Sequence, residues 1–225
     1  MKRLALALMT TPALAVAGAE PFEGYEAYYA TLPDTLFKAE SAVTLEAHGS
    51  PSGDTVRLSG RGGASGNGTH SIEVGNGNLI VDRQAARIKA ARVFPGETVS
   101  TGDLGRGTVA YFATGWACVE NTPSSASGTA VRHKAVYLLR TGGLDPLAWK
   151  LPSLFASCTS IRRTKDQIRF DKAAYRYNPG QDFPAGVLFK EYLISSKNDF
   201  APTGNSRSVS FVEPENVYRF SADER

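Results

Sequence analysis

Cysteine, histidine, tryptophan and methionine are all scarce in this 225-residue chain, at two, three, two and two residues. The scarcity removes whole classes of chemistry. No Cys-x-x-Cys motif occurs, so neither a thiol redox pair nor a cysteine-rich zinc site is expected. His48, His70 and His133 lie far apart, without the i,i+4 or His-x-His spacing that turns two imidazoles toward one metal ion. No metal or other cofactor is expected.

Nucleotide and nucleophile motifs are missing as well. The stretch Ser59 to Gly68 (SGRGGASGNG) resembles a phosphate loop only in composition: Ser65 stands where a dinucleotide fingerprint needs its third small residue. No Lys-Ser or Lys-Thr follows to make a Walker loop. The run Gly63-Ala64-Ser65-Gly66-Asn67 ends on the wrong residue for a Gly-x-Ser-x-Gly elbow. Residues 59–68 are therefore expected to form a mobile loop between strands, with an adaptable binding lip as the alternative. The closest carboxylate couple, Glu213-Pro214-Glu215, with Asp171 and Asp182 on nearby connections, reads as solvated loop residues rather than a glycosidase pair.

Only one long apolar run exists, and it sits at the start. Lys2 and Arg3 precede Leu4 to Val16, which is broken by Thr10, Thr11 and Pro12 and ends in small residues. That is the layout of a signal peptide, short of the roughly 20 residues that cross a bilayer. Cleavage is expected after Ala19, with Ala17 as the second choice, leaving residues 20–225 as a single β-rich domain. Export is expected into a bacterial periplasm, or to the cell exterior, with no stable membrane anchor.

An excess of one charge is lacking too. Of 25 basic residues, Lys2 and Arg3 leave with the signal, so 23 face 22 acidic ones. A nucleic-acid partner is not expected from such a balance. Two local basic stretches remain, one of Arg83, Arg87, Lys89 and Arg92, the other of Arg162, Arg163 and Lys165. Each reads as a solvated face or as a contact for an acidic partner.

What is present points to strands. Val43 and Leu45, then Val56 and Leu58, alternate with polar residues at period two. Gly75-Asn76-Gly77-Asn78 between Val74 and Leu79 marks a tight hairpin, pairing Thr69–Val74 with Leu79–Asp82. Strands follow over 108–119, 130–140, 154–164, 167–171, 173–178, 187–195, 207–212 and 216–220, separated by Gly, Pro, Asn, Asp and Ser clusters. Phe22, Tyr25, Tyr29, Leu32 and Leu36 recur at steps of three and four, predicting a short N-terminal helix that Pro33 interrupts. Asp82 to Arg92 is a candidate for one internal helix, or for a continuation of the strand. The fold class is mainly β, an antiparallel sandwich or barrel-like domain.

In an oxidising compartment Cys118 and Cys158 are expected to pair. The bridge encloses 39 residues, a loop whose closure entropy corresponds to about 4 kcal/mol.

No catalytic residue can be assigned. Trp116, Tyr175, Arg176, Tyr177, Arg162 and Arg163 are the candidate interface, because Tyr175-Arg176-Tyr177-Asn178 sets large amphipathic side chains beside a Pro-Gly turn. The leading expectation is a noncatalytic binding protein of the envelope or extracellular space, such as an immunity or inhibitor protein capping a toxin or an envelope-acting enzyme. The alternatives are a glycan or small-ligand module that stacks its ligand on Trp116, Trp149 or the tyrosines, and a hydrolase whose site assembles from distant residues.

Overall fold

The computed structural model describes residues 20–48, 57–64, 67–100, 102–122, 128–141 and 146–223. The expected signal segment lies outside the described residues. In chain order, β1 (Phe22–Glu23) leads into α1 (Tyr25–Tyr29). Then come β2 (Val43–Thr44), β3 (Glu46–His48), β4 (Arg57–Ala64), β5 (Asn67–Gly75), β6 (Asn78–Val81), β7 (Gln84–Arg87) and β8 (Arg92–Val93). The second half holds β9 (Val109–Ala113), β10 (Trp116–Asn121), β11 (Ala135–Arg140), β12 (Leu147–Lys150), β13 (Arg162–Thr164), β14 (Gln167–Tyr177), β15 (Pro184–Ile194), β16 (Phe200–Phe211) and β17 (Arg219–Ala222).

These strands form three sheets. An outer sheet runs β3-β4-β5-β6-β7, a middle sheet β2-β9-β10-β11-β12-β8, and a long sheet β1-β17-β16-β15-β14-β13. Pairing is antiparallel except between β12 and β8. The protein is therefore a mainly β, sandwich-like stack with one short N-terminal helix.

The middle sheet is covered on both faces, which explains its apolar sequence. Ala117, Val119, Ala135, Tyr137 and Leu139 pack on Leu58, Ile72, Val74, Leu79 and Val81 of the outer sheet. The alternate residues Cys118, Val136, Leu138 and Trp149 pack on Ile168, Phe170 and Ile194 of the long sheet. A third cluster sits on the far half of the long sheet, where Tyr25, Tyr28 and Tyr29 of α1 meet Phe155, Val187, Phe189, Val209 and Phe220. Each such side chain, fully buried, contributes roughly 1.5–3 kcal/mol. The disulfide Cys118–Cys158 forms, with its Cα atoms 5.9 Å apart. It fastens β10 of the middle sheet to the turn that leads into β13.

The hairpin read from Asn76-Gly77 forms in the expected register, Val74 opposite Leu79 and Ile72 opposite Val81. Both turn residues have positive φ, 52° and 73°, as a primed turn requires. Two other expectations are corrected. Residues 59–64 and 67–68 are not a loop but parts of β4 and β5. A Cβ on Gly60 or Gly62 would collide with Leu45 or Val43, so these glycines leave room for the Leu45 and Val43 side chains to pack on β4. Nor is 82–92 a helix: Asp82 and Arg83 make a second turn with positive φ, β7 follows, and Ile88–Ala90 is a single 3₁₀ turn. Burial of Ala86 and Ile88 in the core overrides the helical propensity of the segment. Arg87 on this edge strand, Arg83 in the turn before it and Lys89 in the turn after it are all exposed, and basic side chains there oppose edge-to-edge association.

Candidate functional site

Antiparallel order brings the last residues of β14 and β16 and the first of β15 and β17 to one end of the long sheet. At that end lie Tyr177, Phe183, Val212 and Tyr218. Together with Val131 they are the large apolar side chains left exposed among the described residues, and Phe183 and Tyr177 are 66% and 53% accessible. A folded monomer scatters such residues singly. Here they gather in one place.

The gathering has two concavities. A groove of about 620 Å³ has Phe183, Phe211, Val212, Arg176, Asn178 and Gln181 among its lining residues. Arg176 is fixed in its wall by Ser210 Oγ at 2.5 Å and Asp223 Oδ2 at 3.3 Å. A smaller cavity of about 260 Å³ is lined by Tyr25, Glu26, Val131, Arg132, Lys134, Phe155 and Tyr218. Rings connect the two regions. Tyr177 lies 6.5 Å from Tyr175, Tyr175 meets Phe155 edge-on at 5.7 Å, and Phe155 stacks on Tyr25 at 4.2 Å.

Of the residues singled out from the sequence, Tyr175, Arg176 and Tyr177 belong to this surface. The others do not. Arg162 is 5% exposed and is bound to Asp171 and Glu191. Arg163 is exposed but sits on β13, paired with the opposite end of β14. Trp116 packs 5.8 Å from Trp149. Trp149 is wholly buried and donates its indole N–H to Asn198 O, in the turn at that same opposite end. Trp116 itself is half-exposed. Phe183, Val212 and Arg132 escaped sequence reading. The signal for Phe183 was its place between turn residues and Pro184, where no strand could carry it into a core.

Three polar clusters have the ingredients of catalysis, and their geometry decides what each does. Ser157 Oγ lies 3.0 Å from Glu120 Oε2 and 3.2 Å from Glu26 Oε2. Both Glu120 oxygens are already committed, one to Lys134 Nζ at 2.9 Å and the other to the Cys158 backbone N–H at 2.6 Å. Burial alone would lower the Lys134 pKa, but the two carboxylates overcome it and hold the ammonium charged. The cluster anchors the disulfide turn.

His133 Nδ1 lies 2.9 Å from Ser153 Oγ, whereas a serine hydrolase sets Nε2 against the serine and keeps Nδ1 for the orienting carboxylate. Here the carboxylate, Glu97, is bound to the serine at 3.0 Å and to its backbone N–H, not to the imidazole. It tethers the chain after β12, and among the described residues no carboxylate is bound to the imidazole. The third cluster pairs His70 Nδ1 with Asp82 Oδ2 at 2.6 Å, the ring stacked on Phe112. Burial pushes the Asp82 carboxyl up, but bonds from His70 and the Ser71 N–H win and leave it below its ordinary value. No cluster of three or more metal-ligating side chains occurs among the described residues.

Among the described residues no helix is long and apolar enough to cross a membrane. The disulfide fits a compartment outside the reducing cytoplasm. No family model, curated protein or solved structure matches this chain.

Proposed function

We propose that this chain is an exported, noncatalytic binding protein that engages a protein partner through the aromatic end of its long sheet. The leader-like first 19 residues and the disulfide support export, with the bacterial periplasm as the proposed setting. In that setting an immunity or inhibitor role, capping a toxin or an envelope-acting enzyme, accounts for a stapled domain whose polar clusters are spent on structure.

The observation that carries the reading is the convergence of Tyr177, Phe183, Val212 and Tyr218, exposed, on the ends of adjacent strands. Aromatic side chains and arginine on a rigid support are the composition of protein-binding hot spots. The support is rigid here because the strands beneath are clamped by Phe189, Val209 and Phe220. A glycan-binding reading draws on the same tyrosines, Tyr175, Tyr177 and Tyr218.

The test is affinity capture from an envelope extract by the wild-type domain and by a Tyr177→Ala/Phe183→Ala variant. One stoichiometric protein held by the wild type and lost by the variant is expected. Equal capture by both, or none by the wild type, would defeat the reading.

A further inference from the structure

Resting on the protein-binding reading, we infer that the cavity beside Arg132 is a receptor for a single carboxylate, the acidic anchor side chain of the partner. Four charged residues line it: Glu23, Glu26, Arg132 and Lys134. Three of them have ion-pair partners within the protein. Glu23 binds Arg219 at 3.0 Å. Glu26 divides its oxygens between Lys134 and the hydroxyls of Ser157 and Thr159. Lys134 is held between Glu26 and Glu120.

Arg132 alone has no carboxylate partner among the described residues. Its one hydrogen bond to another side chain goes from Nη1 to the Tyr175 hydroxyl at 2.7 Å, and its guanidinium lies 6.0 Å from the centre of that ring. The bond and the ring fix the plane of the guanidinium and leave most of its donors unused. Nearby, Tyr25 donates its hydroxyl to Val217 O. Burial pushes that phenol up, the Tyr175 and Tyr218 hydroxyls add to the effect, and Arg132 opposes it. Three phenols and one uncommitted guanidinium thus share the site.

The remaining wall is apolar, made of Val131, Phe155 and the Tyr218 ring. A volume of about 260 Å³ falls just below the range of drug-sized ligand sites. It suits one acidic side chain whose methylenes lie on the rings while its carboxylate meets the guanidinium in a two-pronged contact. Such a pair, shielded by aromatic walls, supplies register as well as affinity. The cavity adjoins the exposed aromatic residues through Tyr218, which lines it and is itself exposed, so one partner can meet both.

The probes are N-acetyl-aspartate N-methylamide and N-acetyl-asparagine N-methylamide, followed through the NMR signals of Arg132 Nε and the Gly24 amide. The expected result is a saturable shift with the aspartate probe, at least tenfold weaker with the asparagine probe and at least tenfold weaker in Arg132→Gln. Equal responses to the two probes, no saturable response, or binding of inorganic phosphate as tight as that of the carboxylate would overturn the assignment. The comparison of probes on the wild-type protein needs no variant to fold. Because it needs no partner either, its failure leaves the capture experiment with Tyr177 and Phe183 standing, and the reverse holds.

Discussion

Arg162 and Asp171 are joined by two hydrogen bonds, 3.1 and 2.9 Å long, with their side chains only 6% and 4% exposed. Arg207 reaches the same carboxylate, and Glu191 takes the other side of Arg162 at 3.0 Å. Removing one member leaves the others buried without their counter-charge. Asp171→Asn should therefore cost roughly 3 kcal/mol in urea unfolding. A loss below about 0.5 kcal/mol, the usual range for a surface substitution, would mean that the network is solvated.

Glu191 gives this network a pH dependence. Burial alone would raise its pKa, but hydrogen bonds from Asn205 and Thr203, together with Arg162 and Arg169, hold it below the ordinary 4.5. A depressed carboxylate pKa stabilises the fold above the unfolded value and loses that contribution as pH falls through the folded one. Glu191→Gln should lower the urea midpoint at pH 7 and converge toward wild type at pH 3. A constant difference across that range would contradict the assignment.

Reduction of Cys118–Cys158 releases the link between the middle sheet and the turn before β13. With 40 positions separating the cysteines, the chain-entropy model gives about 4 kcal/mol. The double variant Cys118→Ala/Cys158→Ala should unfold at correspondingly lower denaturant, and a reducing agent should leave its midpoint unchanged.

The noncatalytic reading makes a claim about Ser153. A fluorophosphonate probe should not label the protein, because Glu97 holds the serine and no carboxylate among the described residues is bound to His133. Labelling that disappears in Ser153→Ala would show a working nucleophile and overturn that part of the account.

Local signals of strong chemistry were legible in the sequence. Asn76-Gly77 set a hairpin and its register, and two cysteines left one pairing. Signals that depend on what lies across a sheet were not. Gly60 and Gly62 read as a loop because nothing in the sequence reveals that Val43 and Leu45 press on them. Thr108 to Val119 read as one strand, yet Gly115, with a φ of 77°, turns the chain and splits it into β9 and β10. Glu120, a lone charge closing the apolar run Ala117 to Val119, was a visible mark of a buried polar site. For the candidate surface, Tyr175-Arg176-Tyr177 was found from amphipathic alternation. Arg162 misled because a basic run looks the same whether it is solvated or clamped by carboxylates from distant strands.

Site-specific photo-crosslinking in the cell envelope of the producing organism asks whether the aromatic end of the long sheet meets a protein partner. A crosslinker placed at position 183 or 177 should trap one protein, while one at Glu73, exposed on the outer sheet, should trap none. The account is contradicted if positions 183 and 177 yield no adduct, or if position 73 yields the same one.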